Sequence, residues 1–307
     1  MNFQSSLHSF CFLILYLFAV FKAISSDTVY SHDSPISEGL DYAKLRGELS
    51  PNLEASLTRL DNCVEQSRLK IQKSLRPSKC IRCHAISDAK YAGVKLNYYE
   101  HAIKRYCSKF KCETFCEVGF NRGDSATAWL EFAPDANLLS FTMDTRWYTK
   151  PGISCTKMAY LERVEIIIGD SRKTVPDYFQ EHPDKRCDII HIDGGKGIVN
   201  RKEDMKNFRN ASKSDALWLL DDVALTCKDP VYPPPEKIHS CNKWASVYDT
   251  THSTEHKSQI HSYSAIYDMY TRFARENGLV LDCVLIPEFL SHNVNEGACT
   301  IAKSNIL

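Results

Sequence analysis

The feature that most constrains the fold is a regular alternation of short apolar runs with helical segments, which begins near residue 111. The runs that we expect to be strands are Thr114–Val118, Leu138–Met143, Val164–Ile168, Asp188–Ile192, Ala216–Leu220, Leu279–Ile286 and Ala298–Ala302. The segments that we expect to be helices are Ser125–Phe132, Ser154–Leu161, Thr174–Glu181, Val199–Ala211 and Gln259–Asn277. This alternation indicates βαβ units with helices on both faces of the sheet. The sequence therefore predicts an α/β fold with a doubly wound, mostly parallel, seven-stranded sheet.

The residues before this region predict a helical extension. Apolar residues in Leu49–Leu75 recur at spacings of three, four and seven, which is typical of one face of an amphipathic helix. Pro77 ends that helix, and a second helix is expected at Ser87–Tyr106. We therefore predict a helical, cysteine-containing extension at residues 26–110 and an α/β domain at residues 111–307.

The N-terminus carries an uninterrupted apolar run of 12 residues, Phe10–Phe21. A bilayer of roughly 30 Å needs about 20 apolar residues, so the run is too short to span one. It suits the centre of a signal peptide, and the small residues at 23–25 would form its cleavage site. Because Lys22 follows the run and no Lys or Arg precedes it, a membrane anchor and a buried helix stay open as alternatives. We predict a signal peptide at residues 1–25 and a secreted or lumenal protein.

The cysteines and the charge balance bear on compartment and partners. Of 13 cysteines, Cys11 lies in the predicted leader, and the even number that remains fits disulfides in an oxidising compartment. Cys80 and Cys83 could be half of a zinc site, but no second pair has matching spacing. A glycosylation sequon begins at Asn210. With 38 basic and 38 acidic residues the chain has no general attraction to nucleic acid, so we expect no such partner.

Polar residues follow the first predicted strand in the segment EVGFNRGDS at 117–125. In doubly wound sheets, ligands bind beyond the carboxyl ends of the strands. Gly119 and Gly123 allow sharp turns and close approach of a ligand. Asn121 stands where a dinucleotide-binding loop has its middle glycine, which disfavours a nicotinamide cofactor. Glu117 adds a negative charge that suits a cationic ligand.

Acidic residues follow the next four predicted strands: Asp144, Asp170, Asp193, and the pair Asp221 and Asp222. Asp144 could bind a ribose diol or cap a turn. Asp170 could cap a helix or bond an adenine amine.

Four nearby residues have weaker signals. We interpret His191 as packed in its strand and Asp204 as a solvent-exposed helical residue. Trp147 and Tyr148 could stack on adenine or simply pack.

Four motifs in order resemble class I S-adenosylmethionine-dependent methyltransferases: ExGxNxGxS at 117–125, GDS at 169–171, HIDGGK at 191–196 and LLDDV at 219–223. In the nearest subset the motif after strand four usually reads IDGGH and the motif after strand five reads DDV. Lys196 stands here in place of that His. The resemblance implies that the methyl donor is held by Glu117, Gly119, Asn121, Gly123, Ser125, Asp144, Asp170 and Ser171.

The same positions also resemble the metal-dependent catechol O-methyltransferases. That resemblance implies a metal site of Asp193, Asp221 and Asp222, with Lys196 as the base. Three converging carboxylates would offer Mg²⁺ the hard oxygen ligands that it prefers. The metal would lower the pKa of a substrate hydroxyl, and Lys196 would take its proton.

The expected function is therefore metal-assisted O-methylation of a small-molecule hydroxyl, with S-adenosylmethionine as the donor. The proline-rich segment at 227–241 would form part of the acceptor pocket. The alternative is a secreted binding or structural module that keeps the fold without turnover.

Overall fold

The computed structural model describes residues 48–74, 93–195, 197–224, 266–286 and 296–306. The helices are α1 (Pro51–Ser74), α2 (Gly93–Cys107), α3 (Asp124–Phe132), α4 (Thr149–Tyr160), α5 (Ser171–Glu181), α6 (Ile198–Ala211) and α7 (266–276). The strands are β1 (Thr114–Val118), β2 (Asn137–Thr142), β3 (Val164–Ile168), β4 (Cys187–Ile192), β5 (Ser212–Ala224), β6 (Val280–Ile286) and β7 (Glu296–Ala302). The predicted leader and the proline-rich segment lie outside the described residues.

The strands form a seven-stranded sheet in the order β3-β2-β1-β4-β5-β7-β6. Strands β1 to β5 are parallel, whereas β7 runs antiparallel to both β5 and β6. The prediction of a doubly wound, mostly parallel, seven-stranded sheet is confirmed. Every residue of the central strand β4 is buried, as expected for a parallel strand covered on both faces.

Each face of the sheet has its own hydrophobic cluster, because successive residues of a strand point to opposite faces. Phe115 of β1 packs with residues of α1, α2 and α3, whereas its neighbour Cys116 packs with α5, α6 and α7. The two helices of the predicted extension therefore share a core with the α/β domain.

Helix α1 buries the stripe that its sequence predicts, including Leu53 and Val64. Two further links hold it against α4 and the loop after β1. Cys63 forms a disulfide with Cys155 of α4, and Asp61 forms an ion pair of 2.5 Å with the buried Arg122.

The described cysteines form four disulfides: Cys63–Cys155, Cys107–Cys112, Cys116–Cys187 and Cys283–Cys299. Cys80 and Cys83, the candidate half of a zinc site, lie outside the described residues. Among the helices described here, none has the length and apolar character needed to cross a membrane.

Candidate functional site

The loops after β1 and β4 meet at the carboxyl edge of the sheet. The amide of Gly119 donates to the carbonyl of Phe141 at 3.0 Å, and the amide of Asp193 donates to the carbonyl of Val118 at 2.9 Å. These bonds continue the parallel ladder past the strand ends. The residues that follow β1 and β4 are therefore brought together, as the topology predicts; Asp144, Asp170 and Ser171 do not line the cavity that these loops enclose.

The loop after β1 has a left-handed backbone at Gly119, Asn121 and Gly123, with φ values of 108°, 52° and 103°. A Cβ atom on Gly119 would lie 2.2 Å from the carbonyl oxygen of Asp193. Asn121 takes the middle position because asparagine tolerates this conformation better than most residues with a side chain. The sequence predicted that a ligand would approach Gly119 closely. In the structure, the backbone after β4 lies against this glycine.

Glu117, at the end of β1, is fully buried and is the acceptor of several side-chain hydrogen bonds. Its carboxylate accepts hydrogen bonds from Ser125 Oγ at 2.5 Å, Ser140 Oγ at 2.8 Å and Trp129 Nε1 at 3.1 Å. Burial acts to raise the pKa of Glu117, but the bond and charge of His191 and the two serine hydroxyls outweigh it and lower the pKa. With no exposed surface, this carboxylate contacts protein groups, and a direct contact with the donor stays a prediction.

His191 of β4 lies between two buried carboxylates. Its Nδ1 is 3.2 Å from Glu117 Oε1 and its Nε2 is 3.4 Å from Asp221 Oδ2. Burial alone would lower the pKa of His191, but the hydrogen bonds and negative charges of Asp221 and Glu117 raise it to about 9. The residue is packed, as the sequence indicated, and it also carries the positive charge that joins β1 to β5.

Asp221 is buried and bound to helix α2. Its Oδ2 accepts from Lys95 Nζ at 2.8 Å, and its Oδ1 accepts from the Tyr99 hydroxyl at 2.7 Å. Burial acts to raise the pKa of Asp221, but Lys95 and His191 hold it far below its ordinary value. Lys95 and Tyr99 lie one turn apart on α2, so both reach the same carboxylate.

Strand β5 is longer than predicted, and this corrects the position of the acidic pair. We expected Asp221 and Asp222 after the strand, but both lie within β5, which pairs with β7 on either side of them at Leu220 and Val223. The register shifts between those two pairs. The contacts of Asp221 with α2 allow a charged residue to be buried inside the strand.

Asp193 lies near Asp221, as predicted. Its side chain is 32% exposed, and its Oδ1 is 3.5 Å from NH2 of the fully buried Arg201. One possible ligand atom from each of His191, Asp193 and Asp221 lies within 4.8 Å of the others. The side chain of Asp222 and all of Lys196 lie outside the described residues, so their predicted roles stay predictions.

Asp144 and Asp170 are surface residues with cationic partners. Asp144 Oδ2 is 2.9 Å from Lys150 Nζ. Asp170 caps α5 by accepting from the amide of Arg172 at 3.1 Å. The side-chain and backbone hydrogen bonds of Arg172 lower the pKa of Asp170 to about 2. Asp170 therefore caps a helix, which was one of its two predicted roles. The contacts of Asp144 with ribose and of Asp170 with adenine stay predictions.

Ser171 and Asp204 join α5 to α6. The Ser171 hydroxyl donates to Asp204 Oδ1 at 2.7 Å, and Asp204 is fully buried. Our interpretation of Asp204 as a solvent-exposed residue is therefore wrong. Trp147 and Tyr148, the candidate stacking residues, pack against α1 near Val64.

A cavity of about 100 Å³ lies where these loops meet. Its wall includes Gly119, Asn121, Ser125, Asp193, Asp221 and, from the extension, Leu57 and Lys95. Ligand pockets typically have volumes of roughly 300–1,000 Å³, so this one is small. Residues of helices α1 and α2 form part of the cavity wall and so reduce the space at the strand ends. No local sequence pattern predicted that these two helices would reach the cavity.

The order and direction of the strands match the class I methyltransferase fold. A search of protein-family models extends this result, because residues 116–223 match the model of a methyltransferase domain. The resemblance inferred from the motifs is confirmed for this segment. A search of curated proteins finds no match.

Solved structures with similar folds include several methyltransferases. An O-methyltransferase from Bacillus cereus in complex with SAH is 12% identical, with a TM-score of 0.49, covering 80% of this chain and 91% of that one. SAH-bound PaMTH1 from Podospora anserina is 16% identical (TM-score 0.46; coverage 80% and 87%). TomG from Streptomyces achromogenes, in complex with SAM, is 12% identical (TM-score 0.44; coverage 74% and 93%).

Proposed function

We propose that this protein transfers the methyl group of S-adenosylmethionine to a hydroxyl oxygen of a small molecule. The observation that carries the proposal is the cavity at the carboxyl edge of the sheet, where Gly119, Asn121, Asp193 and Asp221 meet. This edge is where doubly wound folds bind their ligands. The methyltransferase-domain match spans the same strand ends and favours an enzyme over the alternative of a binding module.

The reaction needs few groups from the protein. The acceptor oxygen attacks the methyl carbon, a C–O bond forms, the C–S bond breaks, and S-adenosylhomocysteine is released. The hydroxyl proton passes to a base, for which the resemblance nominates Lys196. The chain's main contribution is to align the two reactants, which supplies much of the acceleration in reactions of this kind. We assign the donor to the loop after β1, with Asp144 at the ribose and Asp170 with Ser171 at the adenine.

The described residues do not fit the metal that the catechol-type resemblance implies. Mg²⁺ prefers an octahedral shell of oxygen ligands. Both oxygens of Asp221 already accept from Lys95 and Tyr99, and Asp193 has Arg201 beside it. We therefore assign no step to a metal.

Donor binding is the direct test. We expect calorimetric titration with S-adenosylmethionine to give a measurable Kd for the wild type. Asp144→Ala should weaken binding roughly 10-fold or more, because a hydrogen bond to a charged group contributes about 1.5–3 kcal/mol. Asp135→Ala is the matched control, since Asp135 is also exposed but precedes β2 at the opposite edge of the sheet.

Two results would contradict the proposal. No heat at millimolar donor would favour the module without turnover. Equal affinity in the Asp144→Ala variant would remove the ribose assignment while leaving donor binding intact.

We further propose that the protein acts in the secretory pathway or outside the cell. The predicted leader supports this, as do the disulfides of the described cysteines, because such bonds persist in oxidising compartments. Mass spectrometry of the protein from its native source would test the proposal. We expect loss of residues 1–25, a glycan at Asn210 and oxidised cysteines; an intact N-terminus with reduced thiols would refute it.

A further inference from the structure

We propose that the ammonium group of Lys95 takes the place of a divalent cation in this site, so that the protein positions its acceptor oxygen without a metal. The inference rests on the proposed function, because it concerns the acceptor end of the same cavity. It assigns a positioning role to a helix that the sequence motifs do not include.

The geometry places Lys95 against Asp221, at the wall of the cavity that Asp193 also lines. Its Nζ is 2.8 Å from Asp221 Oδ2, and its side chain is 24% exposed. Lys95, Asp193 and Asp221 all line the same cavity. A cation thus already sits where acidic residues from β5 and from the loop after β4 converge.

Helix α2, which carries Lys95, is anchored to the sheet by two tyrosines. The Tyr99 hydroxyl lies 2.7 Å from Asp221 Oδ1 and 2.9 Å from the carbonyl oxygen of Leu220, and its one proton can be donated to either. The Tyr98 hydroxyl is 2.9 Å from Thr300 Oγ1. Lys95 lies one turn from these anchored, buried tyrosines, so its side chain extends from a part of the helix that is held against the sheet, and its head group is bound to Asp221.

An ammonium group is suited to this task. It carries three N–H donors and a full positive charge. Such a group can bind Asp221 and also donate to an acceptor oxygen in the cavity. As a hydroxyl oxygen begins to lose its proton, a nearby positive charge stabilises the negative charge that develops.

The same contacts oppose a divalent cation. Asp193 and Asp221 offer carboxylate oxygens within 4.8 Å of each other, whereas both ring nitrogens of His191 face the carboxylates of Glu117 and Asp221. A metal at that point would have to displace Lys95 from Asp221 Oδ2, and it would meet the positive charge of the ammonium group. Removal of the Lys95 charge should therefore uncover a cation site that the wild type does not offer.

The test measures Mn²⁺ binding by the electron paramagnetic resonance signal of the free ion, with the full chain and no methyl donor. We expect the wild type to bind Mn²⁺ only in the millimolar range. Lys95→Met should bind it at least 10-fold more tightly. Lys104→Met is the matched control, because Lys104 lies on the same helix and is 63% exposed. It should behave as the wild type does.

Lys95→Arg guards against a folding defect, since it keeps the charge and should bind Mn²⁺ as weakly as the wild type. Micromolar Mn²⁺ binding by the wild type would overturn the proposal, and so would a Lys95→Met affinity within 10-fold of the wild-type value. Neither measurement involves S-adenosylmethionine. Failure of this inference is therefore distinct from failure of the donor to bind, which would overturn the proposed function.

Discussion

His191→Gln tests the buried charge cluster through the pH dependence of stability. In the folded protein, Asp221 and Glu117 raise the pKa of His191 from 6.5 to about 9 despite its burial. At about 1.36 kcal/mol per pH unit, this difference corresponds to roughly 3 kcal/mol of stability from the protonated ring. Glutamine occupies similar space and can donate a hydrogen bond, but it leaves both carboxylates without their shared cation.

The sign follows from proton linkage. The folded protein keeps the His191 proton to a higher pH than the unfolded chain does. The stabilisation is therefore fully present below pH 6.5 and is lost as the pH rises through about 9. Wild-type protein should lose roughly 3 kcal/mol more than His191→Gln between pH 6 and pH 9.5. The variant should be the less stable of the two at pH 6, because its buried carboxylates lack their partner.

Urea unfolding with intact disulfides, followed by tryptophan fluorescence, measures these free energies. His182→Gln is the control, because it makes the same chemical change at an exposed position and should retain the wild-type pH dependence. If His191→Gln lost as much stability over this range as the wild type, the buried imidazolium would not be the source of the effect.

Two further predictions concern the backbone and the disulfides. Gly119→Ala should lower the free energy of unfolding by more than about 2 kcal/mol, because φ is 108° and the new Cβ would lie 2.2 Å from the Asp193 carbonyl oxygen. Gly93→Ala is the control, because open space surrounds that glycine. Equal losses for the two variants in urea titrations would show that backbone strain at Gly119 is not the cause. Cys63→Ala removes a disulfide between residues 92 positions apart, and Cys107→Ala removes one between residues 5 positions apart. The entropy of loop closure predicts that the free energy of unfolding falls by roughly 4.6 and 2 kcal/mol, respectively. A higher melting temperature for Cys63→Ala than for Cys107→Ala would contradict this.

Much of the fold could be predicted because short, mostly apolar runs that alternate with helical segments indicate parallel strands. Thr114–Val118 and Val164–Ile168 are short, mostly apolar runs, and the structure gives both strands the bounds that we predicted. Helix α1 could be predicted in the same way, because one face of it packs on the core and the apolar residues of that face recur at helical spacing. The local pattern of apolar residues is enough to predict such strands and helices from the sequence.

The remaining features depend on contacts between distant residues. Asp204 has the sequence context of a surface position, yet Ser171 binds it in the interior. Asp221 ends an apolar run, yet it is buried inside β5 because Lys95, 126 residues away, neutralises it. No single-sequence pattern reports that pairing, and Lys95 was missed for the same reason.

The charge balance shows why α2 belongs to the site. The carboxylates Glu117, Asp193 and Asp221 lie at the carboxyl edge of the sheet, and the cations beside them are His191, Arg201 and Lys95. Two of these cations come from the α/β domain, but Lys95 comes from the extension. Without α2, Asp221 would lose both Lys95 and Tyr99, and a buried carboxylate left with one cation is costly. The extension therefore completes the electrostatics of the strand ends while it also limits the size of the cavity.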